Sequence, residues 1–356
     1  MLSLTNTYAP KIQREALFMR HFNFKKLTSI LGIAALSFSL ISCGASGSDS
    51  SDKTDSTKSE KTPVRVAYFP NITHTQALVL KSQGKLEEKW KDTCEVSWTA
   101  FNAGPEETEA LFAGEIDLGY IGPVPAVSAN TKSHGEVQVI ANATNAGAVL
   151  LSRKDADIKD VKDLAGKTIA VPQLGNTQHL CLLNILAEND LKTVDEGGDI
   201  TISASANADI VNLFDAGSID AAIVPEPWGT TIEKAGNAEV LLDYNEIFLD
   251  GDYPTAVVVA NKDFMDKHPD LVEDFLAMHK DATLYINENQ KEAQKIVNEE
   301  IKLATEKSLD ADVIASAFSR MTVTDTLNKD AVLAFADISK NEGFISEVPT
   351  AEDLFR

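Results

Sequence analysis

Residues 167–178 read KTIAVPQLGNTQ, a predicted strand that passes through a short loop into a predicted helix. The same order of strand, loop and helix recurs from Pro63 to about Lys262. Such alternation is typical of parallel sheets covered by helices, so the sequence predicts the α/β class. The alternation runs in two stretches with a gap near residues 145–154, which favours two units; a single larger open sheet is the alternative. From Pro269 to about Glu342 the pattern is helical.

An apolar run near the N-terminus ends in a lipobox, the bacterial signal for export and for attachment of lipid to a cysteine. The run, residues 27–40, holds about 14 residues, which suits a signal peptide and falls short of the roughly 20 of a membrane span. Met19 is the expected start, and the basic residues that such a signal needs follow it: Arg20, Lys25 and Lys26. We therefore expect residues 1–42 to be a signal peptide and Cys43 to carry lipid.

The segment after this cysteine is rich in Ser, Asp and Lys and has no large apolar residue. We expect residues 43–62 to contain the lipidated Cys43 and a flexible linker that tethers an extracytoplasmic domain to the membrane. About 294 residues remain from Pro63 onward, enough for a large core that is usually divided into two lobes.

The chain is strongly acidic, with a formal net charge of −22. Loss of residues 1–42 removes five basic residues and one acidic residue, which moves the net charge to −26. Such a surface repels nucleic acid and anionic headgroups, so we expect no nucleic-acid partner and a membrane contact that depends on the lipid.

Motifs for catalysis are absent from the sequence: it contains no GxSxG, HExxH or P-loop, and no GxGxxG between a strand and a helix. Cys94 and Cys181 lack the spacing of a metal or redox site. We therefore expect no enzyme activity, no cofactor and no metal. Cys181 is expected in the core, and a disulfide with Cys94 stays open. Glu106 and Glu107 are expected in an exposed first helical turn.

Five predicted strands end in small, polar or proline-containing loops, at residues 69–74, 101–104, 122–125, 175–178 and 226–229. In open α/β sheets, ligands bind at the carboxyl ends of the strands. Helix N-termini there present unpaired N–H groups and about half a positive charge, which favour an oxyanion. The loops therefore predict a ligand site formed by Asn71, Thr73, His74, Gly122, Pro123, Asn145, Gly175, Asn176, Thr177, Gln178, Glu226 and Trp228.

Four of these residues also have a structural interpretation that the sequence leaves open. Gly122 and Gly175 suit tight turns as well as a close approach of the backbone to a ligand. Asn71 and Thr177 suit helix N-caps as well as ligand donors.

Glu226 and Trp228 each allow more than one interpretation. Trp228 is either a flat apolar wall beside the oxyanion or a core residue. A carboxylate at Glu226 would repel an anionic ligand. It can instead bind the amine of a zwitterion, accept hydrogen bonds from backbone N–H groups or stabilise a hinge. We favour a structural role.

The same loops resemble those of the substrate-binding proteins of nitrate, sulfonate and taurine ABC importers, in particular the aliphatic sulfonate-binding type. The resemblance covers nearly all of residues 63–344. It rests on five segments: VAYFPNITH (66–74), FNAGP (101–105), DLGYIGP (117–123), PQLGNTQ (172–178) and PEPW (225–228).

The resemblance implies a type II periplasmic-binding-protein fold, with two α/β lobes joined by a hinge. Lobe 1 is expected to comprise residues 63–146 and 257–356, and lobe 2 residues 147–256. The implied function is that of a lipid-anchored solute-binding protein, acting as a monomer with an ABC permease and its ATPase. The implied solute is small and anionic or zwitterionic, most often an aliphatic sulfonate.

The sequence departs from the family pattern at three places. Val124, His179 and residues 145–147 stand where Asn, Asp and a Ser-Gly-Gly run are common. These departures leave nitrate, taurine, a phosphonate or a pyrimidine precursor open as the solute. A ligand sensor for a membrane kinase is the alternative role.

Overall fold

The computed structural model of the protein describes residues 61–356. The predictions for the signal peptide, for Cys43 and for most of the linker lie outside these residues. Within them, none of the helices combines the length and the apolar character needed to cross a membrane.

The first sheet has six strands in the order β11-β4-β10-β3-β1-β2. Its strands are β1 (Thr62–Tyr68), β2 (Cys94–Ala100), β3 (Leu118–Ile121), β4 (Val137–Ala146), β10 (Pro254–Asn261) and β11 (Met321–Val323). The second sheet has five strands in the order β7-β6-β8-β5-β9. They are β5 (Ala148–Arg153), β6 (Thr168–Val171), β7 (Thr201–Ala204), β8 (Ala221–Pro225) and β9 (Ala238–Leu242). The alternative of one larger sheet is therefore wrong.

Helices follow most of the strands. They are α1 (Thr75–Ser82), α2 (Lys85–Lys89), α3 (Gly104–Phe112), α4 (Pro123–Lys132), α5 (Thr177–Glu188), α6 (Asn207–Asp215), α7 (Trp228–Ala235), α8 (Lys262–Lys267), α9 (Pro269–Glu288), α10 (Gln290–Thr305), α11 (Ala311–Phe318), α12 (Lys329–Asn341) and α13 (Ala351–Leu354). The helical pattern after Pro269 is confirmed, except that β11 interrupts it.

Both sheets are buried on both faces, because apolar residues occupy both sides of their central strands. On β1, Val64 and Val66 pack toward α1, α9 and α10, whereas Ala67 faces a cluster with α4 and α12. On β6, Ile169 packs toward α5, and Ala170 faces α6 and α7. Strands buried on both faces carry mainly apolar residues on both sides, as in β6 with the sequence TIAV.

The predicted parallel pairing is present between β1 and β2, β1 and β3, β6 and β7, and β6 and β8, but both sheets also contain antiparallel strands. β10 runs antiparallel to β3 and β4, β11 runs antiparallel to β4, and β5 runs antiparallel to β8 and β9. The chain leaves the first sheet at the end of β4 and enters the second as β5, with only Gly147 between them. β5 begins beside the carboxyl end of its neighbour β8, so it must run in the opposite direction to β8. The return from β9 to β10 reverses direction for the same reason.

Gly147 has a positive φ of 80°, which favours glycine. A Cβ there would lie 3.1 Å from the Cβ of Met321 and 3.5 Å from the Cγ2 of Thr73, so the crossing has little free space.

Glu107 is a second correction. Glu106 is exposed as expected, whereas Glu107 is fully buried and lies against Gly119 of β3. Neither carboxyl oxygen has a hydrogen-bond partner among the described residues, and burial raises the pKa of Glu107 well above its usual value. Cys94 and Cys181 are both buried and unbridged, and Cys181 lies in the core as expected.

Candidate functional site

The loops at the carboxyl ends of the parallel strands meet in a cleft between the two sheets. The cleft has a volume of about 390 Å³, including space open to solvent. The loops after β1, β2 and β3 form one wall, and those after β6, β7 and β8 form the other.

Seven of the twelve predicted site residues line this cleft: Asn71, Thr73, His74, Gly122, Asn176, Thr177 and Gln178. The other five lie outside its wall: Pro123, Asn145, Gly175, Glu226 and Trp228.

On the first wall, Asn71 is the N-cap of a short 3-10 turn over Ile72–His74. Its Oδ1 accepts hydrogen bonds from the backbone N–H of Thr73 at 3.0 Å and from the Thr73 hydroxyl at 3.1 Å. Because Oδ1 is used in the cap, the amide Nδ2 is the group that Asn71 offers to a ligand. The N-cap and the ligand interpretations are therefore compatible here.

His74 contributes a neutral ring to the same wall. The backbone N–H of Phe69 donates to its Nδ1 at 3.2 Å, and the two rings stack with centroids 4.3 Å apart. Burial lowers the pKa of His74 to about 3, so the ring carries one proton at neutral pH. Since Nδ1 accepts, that proton lies on Nε2, which is then a hydrogen-bond donor.

On the second wall, α5 begins in the cleft. Asn176 is its N-cap, and the Asn176 Oδ1 accepts the backbone N–H of His179 at 2.8 Å. Thr177 is the first helical residue, and its hydroxyl is buried without a hydrogen-bond partner among the described residues. A Cβ at Gly122 would overlap this hydroxyl, so the N-cap of α4 and the first turn of α5 are in close contact.

Three further helices begin at the cleft without a side-chain cap. The N-cap residues of α3, α4 and α6 are Ala103, Gly122 and Ala206, and none of them makes a capping hydrogen bond through a side chain. Pro105, Pro123 and Pro125 have no backbone N–H, so the first turns of α3 and α4 present fewer donors than that of α6, which begins with Asn207 and Ala208. Each helix also adds partial positive charge.

No Asp, Glu, Lys or Arg is among the described residues that line the cleft. Its positive potential comes from helix N-termini, and its donors are amides, hydroxyls and one neutral imidazole. Neutral donors of this kind suit a monoanion. A lysine or arginine in their place would leave a full positive charge unpaired whenever the cleft is empty.

Three of the predicted residues outside the wall have local roles. Gly175 has a φ of 82°, and its nearest side-chain neighbour would be Pro105 Cγ at 3.9 Å, so backbone conformation explains the glycine. Pro123 is the first residue of α4. Asn145 accepts from Asn142 at 2.8 Å and donates to Asp252 at 3.2 Å.

Glu226 is fully buried in an ion-pair cluster. Its carboxylate accepts the backbone N–H and the hydroxyl of Thr230, both at 2.9 Å, and the guanidinium of Arg320 at 3.0 Å. Burial raises its pKa, and the bonds from Thr230 and Arg320 oppose that shift. Arg320 also pairs with Glu233 at 2.8 Å and Asp243 at 3.3 Å.

Trp228 is the first residue of α7 and is half-buried against the second-sheet core. It also lines a second compartment that adjoins the cleft. Trp228 therefore packs partly against the core and partly lines a compartment, so each of the two interpretations, core residue and apolar wall, describes one part of its surroundings.

Three residues of the cleft wall with polar side chains are missing from the predicted site: Asn102, Asn207 and Thr255. Asn102 lies between β2 and α3, in the predicted loop at 101–104, and Asn207 is the first residue of α6, the helix that follows β7. Both positions carry the signal that identified the other loops. Thr255 lies inside β10, where no local pattern marks a ligand residue, because β10 reaches the cleft only through the return from the second sheet.

A sequence model of the NMT1-like family matches residues 57–301, more than half of the chain. The chain belongs to this family. The predicted resemblance is thereby confirmed at the level of the family.

Two relatives of this NMT1-like protein come from Escherichia coli (strain K12). One is named for binding aliphatic sulfonates and is 29% identical over 240 residues, which cover 67% of this chain and 70% of that protein. The other is the taurine-binding periplasmic protein, 33% identical over 181 residues, or 51% of this chain and 54% of that protein. Both carry the names of binding proteins, in agreement with the expectation that this chain is not an enzyme.

The fold also matches a solved structure, the alkanesulfonate-binding protein SsuA from Xanthomonas axonopodis pv. citri bound to MOPS. The TM-score is 0.68 at 22% identity, over 84% of this chain and 99% of that one. The expected α/β periplasmic-binding-protein fold is confirmed.

Proposed function

We propose that this NMT1-like protein is the extracytoplasmic, lipid-anchored solute-binding protein of an ABC importer, and that its solute is an aliphatic sulfonate. A permease and an ATPase are its proposed partners, and it acts as a monomer. The names of the relatives support the class of solute, and the lipobox at Cys43 supports the anchor.

The observation that carries this proposal is the unpartnered, buried hydroxyl of Thr177 in a cleft without charged side chains. A buried hydroxyl without a partner costs free energy, so its presence is explained if a ligand oxygen accepts from it. A sulfonate has three acceptor oxygens and a single negative charge that does not vary with pH. It therefore fits several converging neutral donors and helix N-termini.

The two sheets are proposed to form the two lobes. The predicted bounds, residues 63–146 with 257–356 and residues 147–256, follow the sheets except at residues 254–256, which already belong to β10 of the first sheet. Both crossings between the sheets lie beside the cleft, one at Gly147 and one between β9 and β10. Because each wall of the cleft belongs to one sheet, a solute that bonds to both walls favours closure around these crossings.

Calorimetric titration tests the solute. We expect alkanesulfonates to bind more tightly than nitrate, methylphosphonate or a pyrimidine precursor. Tighter binding of nitrate or of a phosphonate would overturn the sulfonate assignment while leaving the transport role in place. Absence of binding by every one of these solutes would overturn the proposed function.

Membrane fractionation tests the anchor. Cys43→Ala removes the lipid attachment site, and we expect the variant to leave the membrane fraction with an unchanged melting temperature. A variant that stays in the membrane fraction would contradict the lipoprotein assignment.

A further inference from the structure

A second compartment adjoins the cleft. It has a volume of about 590 Å³, including space open to solvent, and it shares four wall residues with the cleft: Phe69, Asn71, Asn102 and Asn207. A solute whose oxyanion lies against Thr177 can therefore extend its carbon chain into this outer compartment without leaving the protein.

The outer compartment has apolar and aromatic walls. Phe69 and Trp228 present rings to it, and Pro70, Ala206 and Ala208 add small apolar surfaces. These walls suit the methylene groups of a carbon chain, because burial of such groups is favourable in proportion to area.

Lys307, just beyond the end of α10, lines this compartment and does not line the cleft. Among the described residues that line either compartment, it is the one with a charged side chain. Its backbone N–H donates to the Thr305 hydroxyl and its carbonyl accepts from that hydroxyl, both at 3.3 Å, so neither hydrogen bond engages the ammonium. Acidic residues outnumber basic ones by 22 in this chain, yet the ammonium forms no ion pair within the described part of the molecule.

A solute with a cationic tail would need a carboxylate beside it. None of the described residues that line either compartment carries one. Glu226 is the one acidic residue that the sequence suggested for an amine, but its carboxylate is fully buried and bonded to Thr230 and Arg320. An aminoalkanesulfonate such as taurine would then direct its ammonium toward Lys307 without a compensating charge.

We propose that the preferred solute carries a second anion, a carboxylate at the end of its carbon chain, and that Lys307 pairs with it in the outer compartment. This inference rests on the proposed function, because it requires the sulfonate to occupy the inner cleft. The solute class is then a sulfocarboxylate, with neutral-tailed sulfonates as weaker ligands and aminoalkanesulfonates as the weakest.

The test is a calorimetric comparison of three tails at equal chain length. Sulfoacetate and its longer homologues are titrated beside the alkanesulfonates and the aminoalkanesulfonates of the same length. An exposed lysine gives a modest pairing energy, so we expect the best sulfocarboxylate to bind about twofold to fivefold more tightly than its neutral analogue. Lys307→Gln should abolish this preference, and Lys307→Glu should shift it toward the aminoalkanesulfonate. Lys280→Gln, an equal change of charge at an exposed position of α9, should leave it intact.

The outcomes separate this inference from the proposed function. Equal binding of sulfocarboxylates and alkanesulfonates would overturn the inference and leave the function standing. A preference that survives in Lys307→Gln would overturn the role of Lys307. Absence of binding by any sulfonate would overturn both.

Discussion

Two buried polar regions lie close to the ends of the strands, and they use their hydrogen-bonding groups differently. In the cleft around Thr177, donors remain available and no side chain is charged. Around Glu226, each carboxylate oxygen is bonded, and Arg320 bridges three acidic residues. A spare neutral donor that lines a cleft suits a ligand, whereas a saturated ion-pair cluster suits a part of the scaffold; among the described residues, buried hydroxyls without a partner also occur away from the cleft, at Ser152 and Ser339.

The largest expected effect is at the ion-pair cluster. Arg320→Met leaves the buried carboxylate of Glu226 without its counter-ion, and loss of one partner of a buried pair is strongly destabilising. We expect the free energy of unfolding to fall by about 3 kcal/mol and solute affinity to change little. Denaturant unfolding and calorimetry on the same variant measure both quantities.

Arg356→Met is the control, because its partner Glu273 is largely exposed and the pair is at the surface. We expect it to cost less than about 1 kcal/mol. If Arg320→Met instead left stability unchanged and weakened binding more than about tenfold, the cluster would belong to the ligand site and the comparison would be reversed.

At the cleft, Thr177→Val removes the hydroxyl and keeps the shape of the side chain. A hydrogen bond to a charged group contributes about 1.5–3 kcal/mol, so we expect sulfonate affinity to fall roughly 10- to 150-fold. Asn176, not Thr177, is the N-cap of α5, so the melting temperature without solute should stay nearly constant.

Thr231→Val is the matched control for this variant. The Thr231 hydroxyl donates to the carbonyl of Pro227 at 2.9 Å and does not line the cleft. We expect it to lower stability slightly and to leave affinity unchanged. Loss of stability without loss of affinity in Thr177→Val would assign the hydroxyl to the scaffold.

Trp228 lines the outer compartment, so its fluorescence is expected to respond to solute there. We expect binding to quench or shift the emission, and Trp228→Phe to abolish that signal while an aromatic wall remains. Trp90→Phe should keep the signal, because Trp90 is buried in the first-sheet core, where its indole N–H donates to Asp274 at 3.2 Å. A full signal and native affinity in Trp228→Phe would assign this residue to the core alone.

The smallest expected effect is that of pH on binding. The pKa of His74 is lowered to about 3 by burial, so its ring stays neutral from about pH 8 to about pH 5 and affinity should vary less than about twofold. Unfolding restores an ordinary pKa near 6.5, so the unfolded chain binds a proton that the folded one does not. His74 therefore lowers stability as pH falls from about 6.5 toward 3.

Calorimetry and denaturant unfolding across this pH range separate the two effects. A rise in affinity of about tenfold as pH falls through 6.5 would show that His74 binds the solute as a cation. That result would contradict the description of the cleft as a site without charged side chains.

The sequence by itself determined the class of fold and most of the cleft. Strands, loops and helices are specified by neighbouring residues, so the loops at 69–74, 122 and 176–178 were recognisable from turn and cap residues alone. The rule that ligands bind at the carboxyl ends of strands then placed them together before any contact was known. The same signal, a polar residue between the end of a strand and the first turn of a helix, also marks Asn102 and Asn207.

The tertiary structure decided what depends on contacts distant in the chain. Glu226 and Arg320 are 94 positions apart, and no local pattern connects them. The burial of Glu107 depends on the space left by Gly119, and Lys307 reaches the outer compartment from the end of α10. The directions of β5 and β10 follow from the crossings between the sheets. Local propensity acts over a few residues, whereas burial, ion pairing and strand direction depend on which segments the completed fold brings into contact.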